Sequence, residues 1–151
     1  MQTIEAVTVI HAPIDRCFEW SLNIDLEVEA GKSYGLRPIG GVTSGVIGLG
    51  QRVQWRTKQF GLWITHTSEI TAFRKPMFFA DSMVQGVFRS FRHEHTFRAL
   101  DSGVTEMRDH LSFSIPWYLA GALAERWIVR RRLTQLLVVR NQLIRKKAEA
   151  G

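Results

Sequence analysis

The stretch PWYLAGALAERWIVRRRLTQLLVVRNQLIRKK, Pro116 to Lys147, decides how the rest of the chain is read. Apolar residues recur in it at Leu119, Leu123, Val129, Leu133, Leu136, Leu137, Leu143 and Ile144, with arginines filling most of the intervals. That is the spacing of one apolar stripe on a helix. At about 1.5 Å per residue, a helix from about Leu119 to Lys147 runs roughly 42 Å, enough to cross a small domain. It must lie on something, and the upstream residues read as strands that supply the surface.

Thr3 to Ile10, rich in Val, Ile and Thr, is a first strand. It ends at His11-Ala12-Pro13, with Pro13 at the first position of a short helix that sets Ile14, Cys17, Phe18, Ser21 and Leu22 on one face. A second short helix, Ile24 to Ala30, carries Asp25, Glu27 and Glu29 as solvated acids and stops at Gly31. Glycines then crowd the segment Gly31 to Gly50 without a phosphate-loop or GxGxxG pattern, so their expected role is structural, in tight turns and a bent or bulged strand. From Gln51 the period becomes two: Val53, Trp55 and Thr57 alternate with Arg52, Gln54, Arg56 and Lys58. Phe60-Gly61 turns the chain into Leu62–Thr71, and Met77–Val84, Arg89–Leu100 and Val104–Ile115 follow, the last two joined by the hairpin signal Asp101-Ser102-Gly103. Consecutive hairpins make a curved antiparallel sheet of six to seven strands, and only the terminal helix is long enough to cover it.

With 151 residues, 45% hydrophobic and 23% charged, the chain reads as one globular domain, 1–151, able to bury a core without staples. The single cysteine, Cys17, excludes an intramolecular disulfide and a multi-cysteine zinc site, and its expected place is the packed interface. No apolar run has the length of a membrane span, and Met1 to Ile10 lacks the regions of a signal peptide, so stable membrane insertion is not expected and a cytoplasmic location is. The net charge of +6 belongs to residues 116–151, where eight Lys or Arg outnumber two Glu, while twelve of each sign balance upstream. This basic face could serve nucleic acid or an anionic membrane; the expectation is a solvated helix back, with no nucleic-acid partner.

The element order, together with His11-Ala12-Pro13-Ile14, Phe60-Gly61-Leu62, Pro76, Phe79, Asp81 and His93-Glu94-His95-Thr96-Phe97, resembles the START-like, or SRPBCC, superfamily over essentially the whole chain. The last residues look like those of bacterial cyclase/dehydrase-like or cell-division-inhibitor-like members. The resemblance implies an α+β helix-grip fold, two short helices after the first strand, and a cavity between sheet and terminal helix for a lipid, polyketide-like or isoprenoid molecule. It also admits a cyclase or dehydratase, and it names no cofactor and no universal catalytic motif.

On the strand through residues 91–97, Phe91, His93, His95 and Phe97 share one face, expected to be the inner one. Symmetric pairing at the 101–103 hairpin sets His95 opposite Asp109, which shares its face with Met107, Leu111 and Phe113; a turn at Gly86 sets His93 near Asp81. His66 and Trp55 could line the same side. The cluster could be a structural His–Asp network, a ligand-orienting patch, an acid–base pair of His95 with Asp109, or, with no confident third ligand, a metal site; no metal is expected. The ligand-binding set is then Trp55, His66, Phe79, Asp81, Phe91, His93, His95, Phe97, Met107 and Phe113, with His95 and Asp109 catalytic only in an enzyme. Trp63 falls on the opposite, outer face. The expected partner is a small hydrophobic molecule, the expected state a monomer or homodimer.

Overall fold

The computed structural model describes residues 1–117 and 123–151, with the side chains of 123–125 excepted. Leu119 and the side chain of Leu123, assigned above to the apolar stripe, lie outside the described residues. Strand β1 (Gln2–Ile10) leads into helices α1 (Ile14–Ser21) and α2 (Ile24–Ala30). Strands β2 (Arg37–Gly41), β3 (Arg52–Gln59), β4 (Leu62–Arg74), β5 (Phe78–Gln85), β6 (Ser90–Asp101) and β7 (Val104–Ser114) follow, and α3 (Leu123–Glu149) ends the fold. The seven strands form one antiparallel sheet in the order β1-β7-β6-β5-β4-β3-β2. The meander runs from β2 to β7, and β1 pairs back onto β7.

Local chemistry sets the turns and caps. Asn23 caps α2, its side-chain oxygen accepting from the Leu26 amide at 2.9 Å. Pro13 lies one residue earlier than expected, at the N-cap of α1, in extended conformation. Phe60 and Gly61 both have positive φ, 52° and 77°, as a two-residue hairpin turn requires. The glycine-rich segment contains the edge strand β2. Gly41 has φ 72°, and a Cβ there would stand 2.1 Å from the Arg52 carbonyl oxygen, so the close β2–β3 approach demands glycine.

The concave face is filled in two parts. At one end α1 packs Cys17 and Phe18 against the sheet, and the last turns of α3 add Ile144 and Ala148. The Phe18 ring meets Phe73, Phe79 and Phe97 edge-on, with centroids 5.3, 5.6 and 5.4 Å away. A second cluster joins Ile4, Leu111 and Phe113 to Leu137. Helix α3 runs alongside β1 and, together with α2 and strands β3 to β6, encloses a cavity. No helix among the described residues is long and apolar enough to cross a membrane.

Candidate functional site

The cavity measures about 830 Å³ and is walled mainly by apolar side chains of β3, β4, α2 and α3, such as Val53, Ile64, Ile70, Leu133, Leu136 and Leu137. The period-two alternation of β3 and β4 makes this wall, because Val53, Trp55, Thr57 and Gln59 all face inward, as do Ile64, His66, Ser68 and Ile70. At the β3–β4 turn, Phe60 and Leu62 line the cavity while 57% and 68% exposed, and so mark an open end.

Its polar wall comes from β5, β6 and the far half of α3. His93 and His95 alternate with outward-facing residues on β6 and are buried, their rings stacked 3.8 Å apart; His95 also stacks on Phe79 at 4.0 Å. The backbone register sets His95 opposite Asp109 and Asp81 opposite His93, as the hairpin signals imply. The hydrogen bonds, however, run diagonally. His93 Nε2 donates to Asp109 Oδ1 at 2.8 Å, and His95 Nε2 donates to Asp81 Oδ2 at 2.9 Å. Sheet twist brings one diagonal neighbour of each residue close, so the partner two residues along is within reach. His95 Nδ1 lies 3.2 Å from Asp109 Oδ1 but off line. It is the one buried side-chain nitrogen or oxygen among the described residues without a hydrogen-bond partner.

Helix α3 adds a group absent from the sequence reading. Asn141 Nδ2 donates to Asp109 Oδ2 at 2.7 Å, and Arg140 Nη1 donates to Asn141 Oδ1 at 3.1 Å. Arg140 Nη2 donates to the Ser21 carbonyl at 3.0 Å, and Nε to Glu27. Glu27 is therefore not the solvated acid expected: it faces the cavity and pairs with a buried cation. The signal was present, since Arg140 falls three residues after Leu137 and four before Ile144, on the apolar stripe itself. A charge at such a position requires a buried partner.

The protonation states follow from competition between burial and neighbours. For Asp109, burial opposes ionisation, but the His93 hydrogen bond and the close approach of His95 outweigh it and hold the carboxyl well below its ordinary range. Asp81 is lowered in the same way, burial being overcome chiefly by His95. Burial and the neighbouring His95 lower the pKa of His93, and burial lowers that of His66. Burial acts against His95 too, yet contacts with Asp109 and Asp81 prevail and raise it, so His95 holds its second proton longest.

Of the expected ligand-binding residues, Trp55, His66, Phe79, Asp81, Phe91, His93 and His95 line the cavity. Phe97, Met107 and Phe113 do not. Phe97 is covered by Phe18 of α1, Met107 Sδ receives the Ser21 hydroxyl at 3.5 Å, and Phe113 packs on Phe88 at 6.0 Å. They share a face with the histidines, but the short helices and the second core cluster fill that space. Asp109, completely buried, sits behind the histidines. Trp63 is exposed on the outer face beneath the Arg56 guanidinium, and Cys17 is buried.

Asp81, His93 and His95 offer ligand atoms within 4.8 Å of one another, a donor set that could hold a metal ion. Their Nε2 atoms are committed to carboxylates, and the Arg140 guanidinium, 3.8 Å from Asp109, adds a positive charge that opposes a cation. The donor set fits a proton-linked network better than an ion. Much of the basic character of α3 is also used internally: Arg140 as above, Arg130 on the Thr3 carbonyl at 2.7 Å, and Lys147 near Glu29 at 3.6 Å.

Neither a protein-family model nor a curated protein matches the chain. Solved structures do. The Zhui aromatase/cyclase from Streptomyces sp. R1128 superposes with TM-score 0.77 at 17% identity, over 98% of this chain and 93% of that one. A protein of Thermus thermophilus gives 0.72 at 14% identity, over 95% and 97%. Ginseng major latex-like protein 151 from Panax ginseng gives 0.67 at 12%, over 97% of both chains. The chain thus shares the fold of these structures, the helix grip that its sequence resemblance implies. At these identities the likeness establishes the fold.

Proposed function

We propose that the protein binds a small hydrophobic molecule, of lipid, polyketide-like or isoprenoid kind, between sheet and α3. The observation that carries this reading is the cavity of about 830 Å³, apolar on most of its wall, with a polar patch of Asp81, His93 and His66 among its few polar groups. A hydrophobic enclosure with few, positioned polar groups is how small-molecule sites are built. Asp81 accepts a hydrogen bond from a ligand hydroxyl; neutral His66 adapts to a hydroxyl or a carbonyl, and neutral His93, whose Nε2 proton goes to Asp109, accepts from a hydroxyl at Nδ1. The setting we propose is cytoplasmic, as a monomer or homodimer without nucleic acid. Titration with anilinonaphthalene sulfonate tests the reading: the dye brightens in the cavity, and long-chain alcohols or polycyclic aromatics displace it at one site. A dye that stays dark, or that no apolar molecule displaces, would count against it.

One observation favours a second reading, a cyclase- or dehydratase-type enzyme. His93 is kept neutral, faces the cavity and is oriented by buried Asp109, the arrangement of a general base and its orienter. The roles first given to His95 and Asp109 then pass to His93 and Asp109. In an enzyme His93→Gln would abolish turnover of a bound polyketide-like substrate while leaving its binding within a few fold; in a binder there is no turnover to lose.

A further inference from the structure

We infer that the ligand is amphipathic and anionic, a carboxylate-bearing apolar molecule held with its charge at the open end by Arg132. This rests on the cavity reading above and adds the class and direction of the ligand.

Arg132 lines the cavity beside Gln59 and Phe60, at the end where the β3–β4 turn is exposed. Its guanidinium lies 4.8 Å from the Tyr34 ring centroid and 4.9 Å from that of Phe60, and Nη1 donates to Gln59 Oε1 at 2.9 Å. Rings against the guanidinium plane leave its edge, where the remaining N–H donors lie, for a further partner. Among the described residues no carboxylate stands within ion-pair distance of Arg132, whereas Arg140, the other arginine on the cavity wall, is paired with Glu27. Arg132 is therefore a positioned, half-buried cation at a ligand cavity, held by aromatic and amide contacts with no carboxylate against it among the described residues.

The deep end has the opposite character. Arg140 lines the wall there, but its three nitrogens are engaged by Glu27, Asn141 and the Ser21 carbonyl. Asp81 and Asp109 lie beside the histidines, and with Glu27 they repel an anion. A molecule with one anionic group enters apolar end first and leaves that group at Arg132, where the fork of the guanidinium matches a carboxylate. A hydroxyl at the inner end can still reach Asp81.

The test uses cis-parinaric acid and its methyl ester, fluorescent probes of one shape that differ in charge, titrated at neutral pH. The wild-type protein is expected to bind the acid about tenfold more tightly than the ester. Arg132→Gln should abolish this preference by weakening the acid about tenfold more than the ester; Arg132→Lys should keep part of it. Thermal unfolding of each variant reports whether it is folded, and Arg132→Lys carries the test if Arg132→Gln is not. Equal wild-type affinities, or loss of acid and ester binding alike in Arg132→Gln, would overturn the assignment and leave the cavity reading standing. If neither probe binds while polycyclic aromatics still displace the dye, this inference fails and the cavity reading stands; if the dye also stays dark, both fail.

Discussion

Replacing Arg140 by Met is the most informative perturbation of the buried network. The substitution keeps most of the apolar stem and removes the charge, so what is lost is electrostatic. Arg140 is 9% exposed in its side chain, Glu27 27% and Asp109 0%. Removing one partner of a buried ion pair costs about 3–5 kcal/mol because the other is left uncompensated. Here Asp109 retains donors from His93 and Asn141, and Glu27 is exposed enough to recruit water, so the lower end applies, about 3 kcal/mol. For a domain of this size that lowers the thermal midpoint by about 6–12 °C. Urea and thermal unfolding at neutral pH measure it, with Glu27→Gln made alone and in combination. The double variant should recover more than about 1 kcal/mol of the expected additive loss, because the second change removes the orphaned carboxylate. A loss below about 1 kcal/mol for Arg140→Met, or strict additivity with Glu27→Gln, would refute the view that this cation holds the network together.

Other consequences follow from single residues. Asp109 is ionised in the folded protein below the pH at which an unfolded aspartate protonates, so its stabilisation is complete above about pH 4 and drains away as pH falls further. His93, lowered in the fold, adds a separate loss as pH drops below about 6.5. The urea midpoint of the wild type should therefore fall more steeply than that of Asp109→Asn below about pH 4; parallel curves would contradict the assignment. Ile64→Trp projects a larger side chain from β4 into the cavity and should cut dye affinity at least about tenfold while moving the thermal midpoint little; unchanged binding would mean that the dye sits elsewhere. Gly41→Ala drives a Cβ into the Arg52 carbonyl and should cost about 2 kcal/mol or more, whereas Gly45→Ala, also at positive φ but with nothing within 4 Å, should cost about 1 kcal/mol; similar unfolding midpoints would contradict this.

How far the sequence is readable depends on whether a signal is periodic or pairwise. The alternation through Val53, Trp55 and Thr57 and the Phe91-His93-His95 face are periodic, and both set inward faces correctly. The bent or bulged strand expected in the glycine-rich segment is β2, with its bulge between Pro38 and Gly40; only its bounds escape the sequence, because Gly40 and Gly41 carry no side-chain pattern. The four members of the His–Asp cluster were legible from hairpin register, but the direction of their bonds was not, since it depends on twist and rotamer. Face periodicity turns Phe97, Met107 and Phe113 inward without saying which part of the interior they reach, and they pack in the core rather than on the cavity wall. Arg140 was concealed by company: counted with the basic residues of α3, it read as part of a solvated face, although Leu137 and Ile144 on either side place it on the buried one.

Native mass spectrometry of the protein purified from its own host, followed by denaturing extraction, tests the central claim most directly. The account predicts one apolar molecule per chain, carrying a carboxylate, released on unfolding and missing from Ile64→Trp. A protein that emerges bare and takes up neither fatty acids nor polycyclic aromatics would contradict it, and would leave the helix grip closed on an empty space.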